Sequence, residues 1–104
     1  PFVPGAATAS EILSLWESGY SLMKFFPAEL LGGTKMLKAL SAPLPEVRFF
    51  PTGGINSGLI QDYLKLGCVS CVGGSWFIPA ELLAARRFND IKTLTVSALQ
   101  LSHV

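Results

Sequence analysis

Residues 21–33 read S-L-M-K-F-F-P-A-E-L-L-G-G, and residues 46–54 read E-V-R-F-F-P-T-G-G. In each, a basic residue is followed by Phe-Phe-Pro, and Arg48 stands 24 residues after Lys24. Each passes from a short apolar run into proline and then into paired glycines, the pattern of a strand that ends in a turn. A repeat at this spacing leaves room for one helix between the two strands, which points to strands in parallel joined by helical crossovers.

The same alternation extends over the chain. Phe2-Val3 is a short apolar piece closed by Pro4-Gly5. A helix follows in T-A-S-E-I-L-S-L-W-E-S-G, opened by a capping box in which Thr8 accepts from the Glu11 amide and Glu11 reaches back. Ile12, Leu15 and Trp16 keep helical spacing, and Gly19 supplies a left-handed stop. The second strand covers residues 20–26 and its helix residues 34–41, ended by Pro43 and Pro45. The third strand covers 47–50, with a helix over 57–66 stopped at Gly67. The fourth covers 68–72 and closes in Gly73-Gly74-Ser75. Pro79 suits the first turn of a short helix over 79–87, and Asn89 or Asp90 caps a last helix carrying Ile91, Leu94, Val96 and Leu99.

Short, almost wholly apolar strands imply burial on both faces. An open doubly wound sheet and half of a (β/α)8 barrel both satisfy that pattern. A doubly wound dinucleotide fold calls for G-x-G-x-x-G after a strand, which the sequence lacks. Four strand–helix units in 104 residues are half of the roughly 200–250 a barrel needs. The reading is therefore α/β, half of a TIM barrel. Edge strands of an isolated half would expose unpaired backbone groups, so a complementary half is expected, earlier in the same chain or from a second copy. The opening at Pro1, without methionine, fits that expectation.

Composition excludes several classes. Half of the residues are hydrophobic and 14% are charged, too apolar for a disordered chain. No apolar run reaches the roughly 18 residues that span a bilayer, so no membrane partner is expected. The formal charge is +1 and the basic residues are scattered, which leaves no footprint for nucleic acid. Cys68 and Cys71 have C-x-x-C spacing inside an apolar segment. With His103 the one histidine, the ligands for a zinc site are lacking, and the two are read as buried structural thiols, which suits a cytoplasmic, reducing setting.

Period-two alternation puts Leu22, Lys24 and Phe26 on one face of their strand, opposite Met23 and Phe25. A lysine turned into a barrel interior is desolvated, and the ammonium is the costly form there. A neutral amine is what a Schiff-base nucleophile must be. The alternative is a lysine that snorkels at a strand end with its tip in water. Residues 51–54 and 73–75 follow successive strands at their C-terminal ends, where barrel loops hold phosphate with backbone N–H groups and the N-terminus of a short helix. Thr52 and Ser75 add hydroxyls, and residues 79–87 offer the helix. Ordinary tight turns would also use these glycines.

At these residues the sequence resembles the KDPG/KHG aldolases, class I aldolases of the Entner–Doudoroff pathway. The resemblance rests on P-F-V-P-G-A-A-T-A-S-E, M-K-F-F-P-A-E, V-R-F-F-P-T-G-G-I and C-V-G-G-S-W-F-I-P-A, in order along the chain. It implies a TIM barrel, usually a homotrimer, that cleaves 2-keto-3-deoxy-6-phosphogluconate to pyruvate and glyceraldehyde 3-phosphate without a cofactor or metal. Activity on 4-hydroxy-2-ketoglutarate, or on the 6-phosphogalactonate epimer, belongs to the same family. The resemblance makes the chain the C-terminal half of a single domain, strands five to eight, with the N-terminal half absent from this sequence. It puts the Schiff-base lysine on Lys24, the aromatic beside the pyruvyl group on Phe26, and phosphate binding on Thr52, Gly53, Gly54, Gly74 and Ser75. The family's general acid/base glutamate and a substrate-binding arginine belong to the first half. Glu29 and Arg48 do not take those positions, and Glu29 is read as ordering its loop. The rival readings are a phosphate-binding barrel enzyme without an imine, with Lys24 as an electrostatic clamp, and a non-enzymatic half-barrel.

Overall fold

The computed structural model describes residues 1–103. Helix α1 (Ala9–Glu17) begins where the capping box puts it: the Glu11 amide donates to the Thr8 hydroxyl at 3.2 Å. The return bond comes from one residue further out than expected, the Ala7 amide, which donates to the Glu11 carboxylate at 3.2 Å. The Thr8 hydroxyl bond, then that of Ala7, hold the Glu11 carboxyl below its usual range. Gly19, at φ +96°, ends the helix. The Tyr20 amide returns to the Leu15 carbonyl and the Gly19 amide to Trp16, a Schellman arrangement that needs a residue free to adopt positive φ.

Strands β1 (Leu22–Phe25) and β2 (Arg48–Pro51) pair in parallel, with Lys24 opposite Phe50. Helix α2 (Gly33–Ser41) lies between them in the chain. A shorter segment joins on each side. The Lys24 amide donates to the Pro4 carbonyl at 2.8 Å, and Ala6 donates to the Lys24 carbonyl at 2.9 Å. Beyond β2, Phe49 donates to Cys68, Ser70 to Phe49 and Gly73 to Pro51, at 2.7 to 3.0 Å. Four parallel segments thus follow one another in sequence order. The remaining helices are α3 (Ile60–Leu64), α4 (Ala80–Ala84) and α5 (Phe88–Leu101). Among the described residues no helix is long and apolar enough to cross a membrane.

The sequence expectations need correction in five places. The first pairing segment lies at residues 4–6 rather than at Phe2-Val3; the Phe2 ring packs edge-on against Tyr20 at 5.9 Å. The fourth strand is reduced to bridges at Val69 and Gly73. Phe49 exchanges bonds with Cys68 and Ser70, but Pro51 has no N–H to donate the next rung; the Arg48 guanidinium holds the segment instead through the carbonyls of Gly67 and Val69, at 2.9 and 3.1 Å, and the Ser70 hydroxyl. The helix expected over 57–66 is confined to residues 60–64; ahead of it lies a turn in which the Asn56 side chain accepts from the Gly58 amide and its carbonyl accepts from Leu59 and Ile60, a capping arrangement. In α5 Asn89 and Asp90 lie inside the first turn rather than capping it, Asp90 pairing with Arg87 at 2.6 Å. Val96 and Leu99 of that helix are exposed, and Ala98 is its buried residue. Finally, Cys68 is half-buried against the core but Cys71 is exposed. Such burial as Cys71 has pushes its thiol up, away from the reactive thiolate.

Met23, Phe25 and Phe49 are fully buried on one face of the paired strands, with Ile12, Leu37 and Tyr63 in the same core. Phe25 and Phe49 meet edge to face at 6.4 Å. Leu22 and Lys24 take the opposite face of β1, as alternation requires. Phe49→Ala is expected to lower stability by about 3–5 kcal/mol, read from the urea midpoint of the full protein with the slope unchanged. A loss under about 1 kcal/mol would mean that the pairing face is not the centre of the core.

Candidate active site

Lys24 sits at the third position of β1, half-buried, on the face away from the core. Its Nζ lies 5.3 Å from the centre of the Phe26 ring and 6.0 Å from that of Phe50. Alternation puts Phe26 beside it on its own strand, and the parallel register brings Phe50 opposite. Phe26 is 55% exposed. The complete burial expected for a barrel interior is therefore not realised in these 104 residues; the amine rests between two aromatic rings on an open face.

Beyond Phe25 the chain turns back on the end of β2. Thr52 donates its amide to the Phe25 carbonyl at 3.0 Å. Ala28 then donates to the Thr52 carbonyl at 2.8 Å, and Glu29 to Gly53 at 3.1 Å. The turn is tight enough that only glycine fits opposite. Gly53 has φ +110°, and a Cβ there would stand 2.9 Å from the Pro27 Cα. Gly54, at φ +76°, would meet the Glu29 Cβ at 2.8 Å.

Phe26, Thr52, Gly53, Gly54, Gly74 and Ser75 line one cleft of about 410 Å³. Six of the seven expected site residues thus come together, and Lys24 adjoins the cleft through the Phe26 ring rather than lining it. The amides of Gly53, Gly54, Gly74 and Ser75 have no acceptor among the described residues, whereas that of Thr52 is spent on Phe25. Thr52 can offer its hydroxyl, which is buried and unpartnered. Four such amides and two hydroxyls beside one cleft are donors of the kind that can hold an oxyanion or phosphate.

The short helix does not take the part expected of it. No residue of α4 lines the cleft, and the segment that does is the turn closed by Ile78 donating to the Ser75 carbonyl. Two lining residues, Ile55 and Trp76, escaped sequence reasoning. Trp76 had a signal: it directly follows the second glycine loop. A Cβ on Gly74 would fall 2.0 Å from its ring, so the edge of the indole takes the space a side chain there would need, and Trp76 walls the cleft. Phe50 was legible too, as the residue of the repeated motif that matches Phe26. Glu29 lies elsewhere, bonded by the Tyr63 hydroxyl on a separate cleft.

A parallel α/β layer carrying a lysine between aromatic rings, next to a glycine cradle, defines a class of enzyme-like sites that pair an amine with an anion pocket. Comparison with known proteins makes the class specific. Residues 1–94 match the family described as KDPG and KHG aldolase, and the chain belongs to that family. It is 46% identical over 101 residues to the 2-dehydro-3-deoxy-phosphogluconate aldolase of Treponema pallidum, covering 97% of this chain and 48% of that protein. It is 44% identical over 100 residues to the KHG/KDPG aldolase of Escherichia coli K12, covering 96% and 47%. Among solved structures, it superposes on the KDPG aldolase of Legionella pneumophila, with pyruvate captured as a covalent carbinolamine, with a TM-score of 0.88. That match has 47% identity and covers 90% of this chain and 46% of that one. The chain spans about half the length of the curated relatives it matches.

Gly53→Ala forces both a left-handed φ and a backbone collision at Pro27. It is expected to cost about 1–3 kcal/mol in strain, seen as a lowered thermal midpoint. An unchanged midpoint would show that the close approach of residues 27–29 is dispensable.

Proposed function

We propose that this chain is the lysine-bearing half, strands five to eight, of a TIM-barrel class I aldolase. The half-barrel reading draws support from the sequential parallel order of its four segments. It also draws support from its shape: the radius of gyration is 14.9 Å, against about 13 Å for a compact domain of this length. The substrate proposed is 2-keto-3-deoxy-6-phosphogluconate, cleaved to pyruvate and glyceraldehyde 3-phosphate, with 4-hydroxy-2-ketoglutarate, cleaved to pyruvate and glyoxylate, as a second. The observation that carries the reading is Lys24 beside Phe26, on the rim of a cleft of about 410 Å³ whose free amides can hold a phosphate.

The mechanism follows from those positions. The neutral amine of Lys24 adds to the C2 ketone of the keto acid, forming a carbinolamine that loses water to a protonated imine. The C4 hydroxyl gives up its proton, the C3–C4 bond breaks, and its electron pair moves into the imine to give an enamine. The aldehyde phosphate leaves, the enamine takes a proton at C3, and hydrolysis releases pyruvate and regenerates the amine. Thr52, Gly53, Gly54, Gly74 and Ser75 bind the phosphate, several bonds from the reacting carbons. That remote binding fixes the substrate chain so that C2 lies over the lysine. Phe26 packs on the pyruvyl part and keeps water from the imine. The proton shuttle is assigned to none of these residues and is expected of the preceding half of the barrel. A cytoplasmic homotrimer is the assembly proposed for the complete enzyme.

Borohydride reduction of the full protein with pyruvate is expected to add one pyruvyl-derived group to the peptide holding Lys24, read by mass. Lys24→Arg is expected to abolish both the adduct and turnover, since a guanidinium is not an amine nucleophile. An adduct absent from the wild-type protein, or turnover retained in the arginine variant, would overturn the imine mechanism and leave a phosphate-binding barrel without it.

A further inference from the structure

The Tyr63 hydroxyl donates to the Glu29 carboxylate across 34 residues of sequence, and the mechanism above uses neither group. Glu29 follows β1 and Tyr63 lies on α3, directly after the Gly53-Gly54 loop. Tyr63 is 1% exposed. Burial first, then the bond to Glu29 and its charge, push the phenol above its ordinary range, so it remains a donor at every working pH. The Glu29 side chain is pinned between two backbones: a Cβ on Gly33 would stand 2.7 Å from its carboxylate, and one on Gly54 would stand 2.8 Å from its Cβ. Its own amide bonds to the Gly53 carbonyl. Yet the cleft it lines, of about 280 Å³, is shared with Gly33, Lys35, Asp62 and Tyr63, and not with Phe26 or Ser75. Glu29 therefore stands behind the glycine loop, not in front of it.

We infer that Glu29 and Tyr63 are positioning residues that set the Gly53-Gly54 loop for the phosphate of the substrate, and so for preference toward phosphorylated keto acids. The inference rests on the proposed function. The contact braces the loop from its rear, where it can move the free amides without touching substrate. Lys24 is held by strand pairing that the contact does not join, so imine formation is spared when the brace is lost.

The experiment uses the full-length protein with two substrates, 2-keto-3-deoxy-6-phosphogluconate and unphosphorylated 4-hydroxy-2-ketoglutarate. Tyr63→Phe removes only the hydroxyl and is expected to raise KM for the phosphorylated substrate about tenfold, the effect of losing one hydrogen bond to a charged acceptor. Its kcat on the unphosphorylated substrate and its borohydride-trapped pyruvate adduct are expected to stay at wild-type levels. Glu29→Gln keeps an acceptor for Tyr63 and is expected to leave KM within about threefold of the wild-type value, whereas a general acid/base at that position would lose about 100-fold or more in kcat. Equal losses on both substrates, unchanged kinetics in Tyr63→Phe, or a collapse of kcat in Glu29→Gln would each overturn the positioning role. Failure of the wild-type protein to form the adduct would instead count against the aldolase reading, so the two fail separately. Should Tyr63→Phe not fold, Glu29→Gln and the phosphate protection of the wild-type Gly53 amide in hydrogen exchange carry the test; no protection would overturn the inference.

Discussion

Three backbone hydrogen bonds at the ends of β1 and β2 decide the geometry of everything near the lysine. Thr52 donates to Phe25, Ala28 to Thr52, and Glu29 to Gly53. They tie the strand that carries Lys24 to the loop that carries the free amides, so the main chain, which has little freedom, sets the spacing between amine and loop, and the Glu29–Tyr63 contact backs it from behind. The cost appears at Gly53 and Gly54. Both must take a positive φ, and neither leaves room for a Cβ because residues 27–29 lie against them. A site built this way has its precision in the fold itself, which is where preorganisation is most dependable.

The repeated motif shows how one sequence pattern supports two different tasks. By sequence Lys24 corresponds to Arg48, but by register Lys24 pairs with Phe50 and Arg48 with Leu22. The stagger is two residues. An even stagger preserves which face each side chain takes, so Phe50 joins Phe26 beside the amine. Arg48 is displaced toward the start of its strand, where its three bonds gather Gly67, Val69 and Ser70. One basic residue is thus delivered to the aromatic pair, and its counterpart fastens the next segment of the sheet. A fork of donors suits three acceptors on a bent backbone; a single ammonium would not hold them in one plane.

What could be read from the sequence was whatever repeats with a local period or punctuates a strand. Alternation in residues 22–26 assigned the faces, and the paired glycines at 53–54 and 73–74 located the loops that meet in the cleft. Contacts between elements carry no such signal. Nothing in the spacing of Glu29 and Tyr63 announces their bond, because it depends on how α3 packs under the glycine loop. The fourth strand shows the same limit: its composition is that of a strand, but the register sets it against Pro51, which has no N–H to continue the ladder past Phe49. Cys71 shows the same: composition alone reads it as buried, but a segment that bridges at only two points does not bury every residue along it. The short helix α4 was found, but its direction relative to the cleft is a tertiary property.

The open face around Lys24 bears on the proposed mechanism. Two aromatic rings stand 5.3 and 6.0 Å from its nitrogen, and rings at that range attract a cation by roughly 0.5–1 kcal/mol where water has access and about 2 kcal/mol where it does not. In the proposed mechanism the protonated imine is a cation formed at that same nitrogen, and its charge is spread rather than compact and strongly hydrated. Phe26 and Phe50 are accordingly placed to favour that proposed intermediate, and the more so where the other half of the proposed barrel would close water off from them.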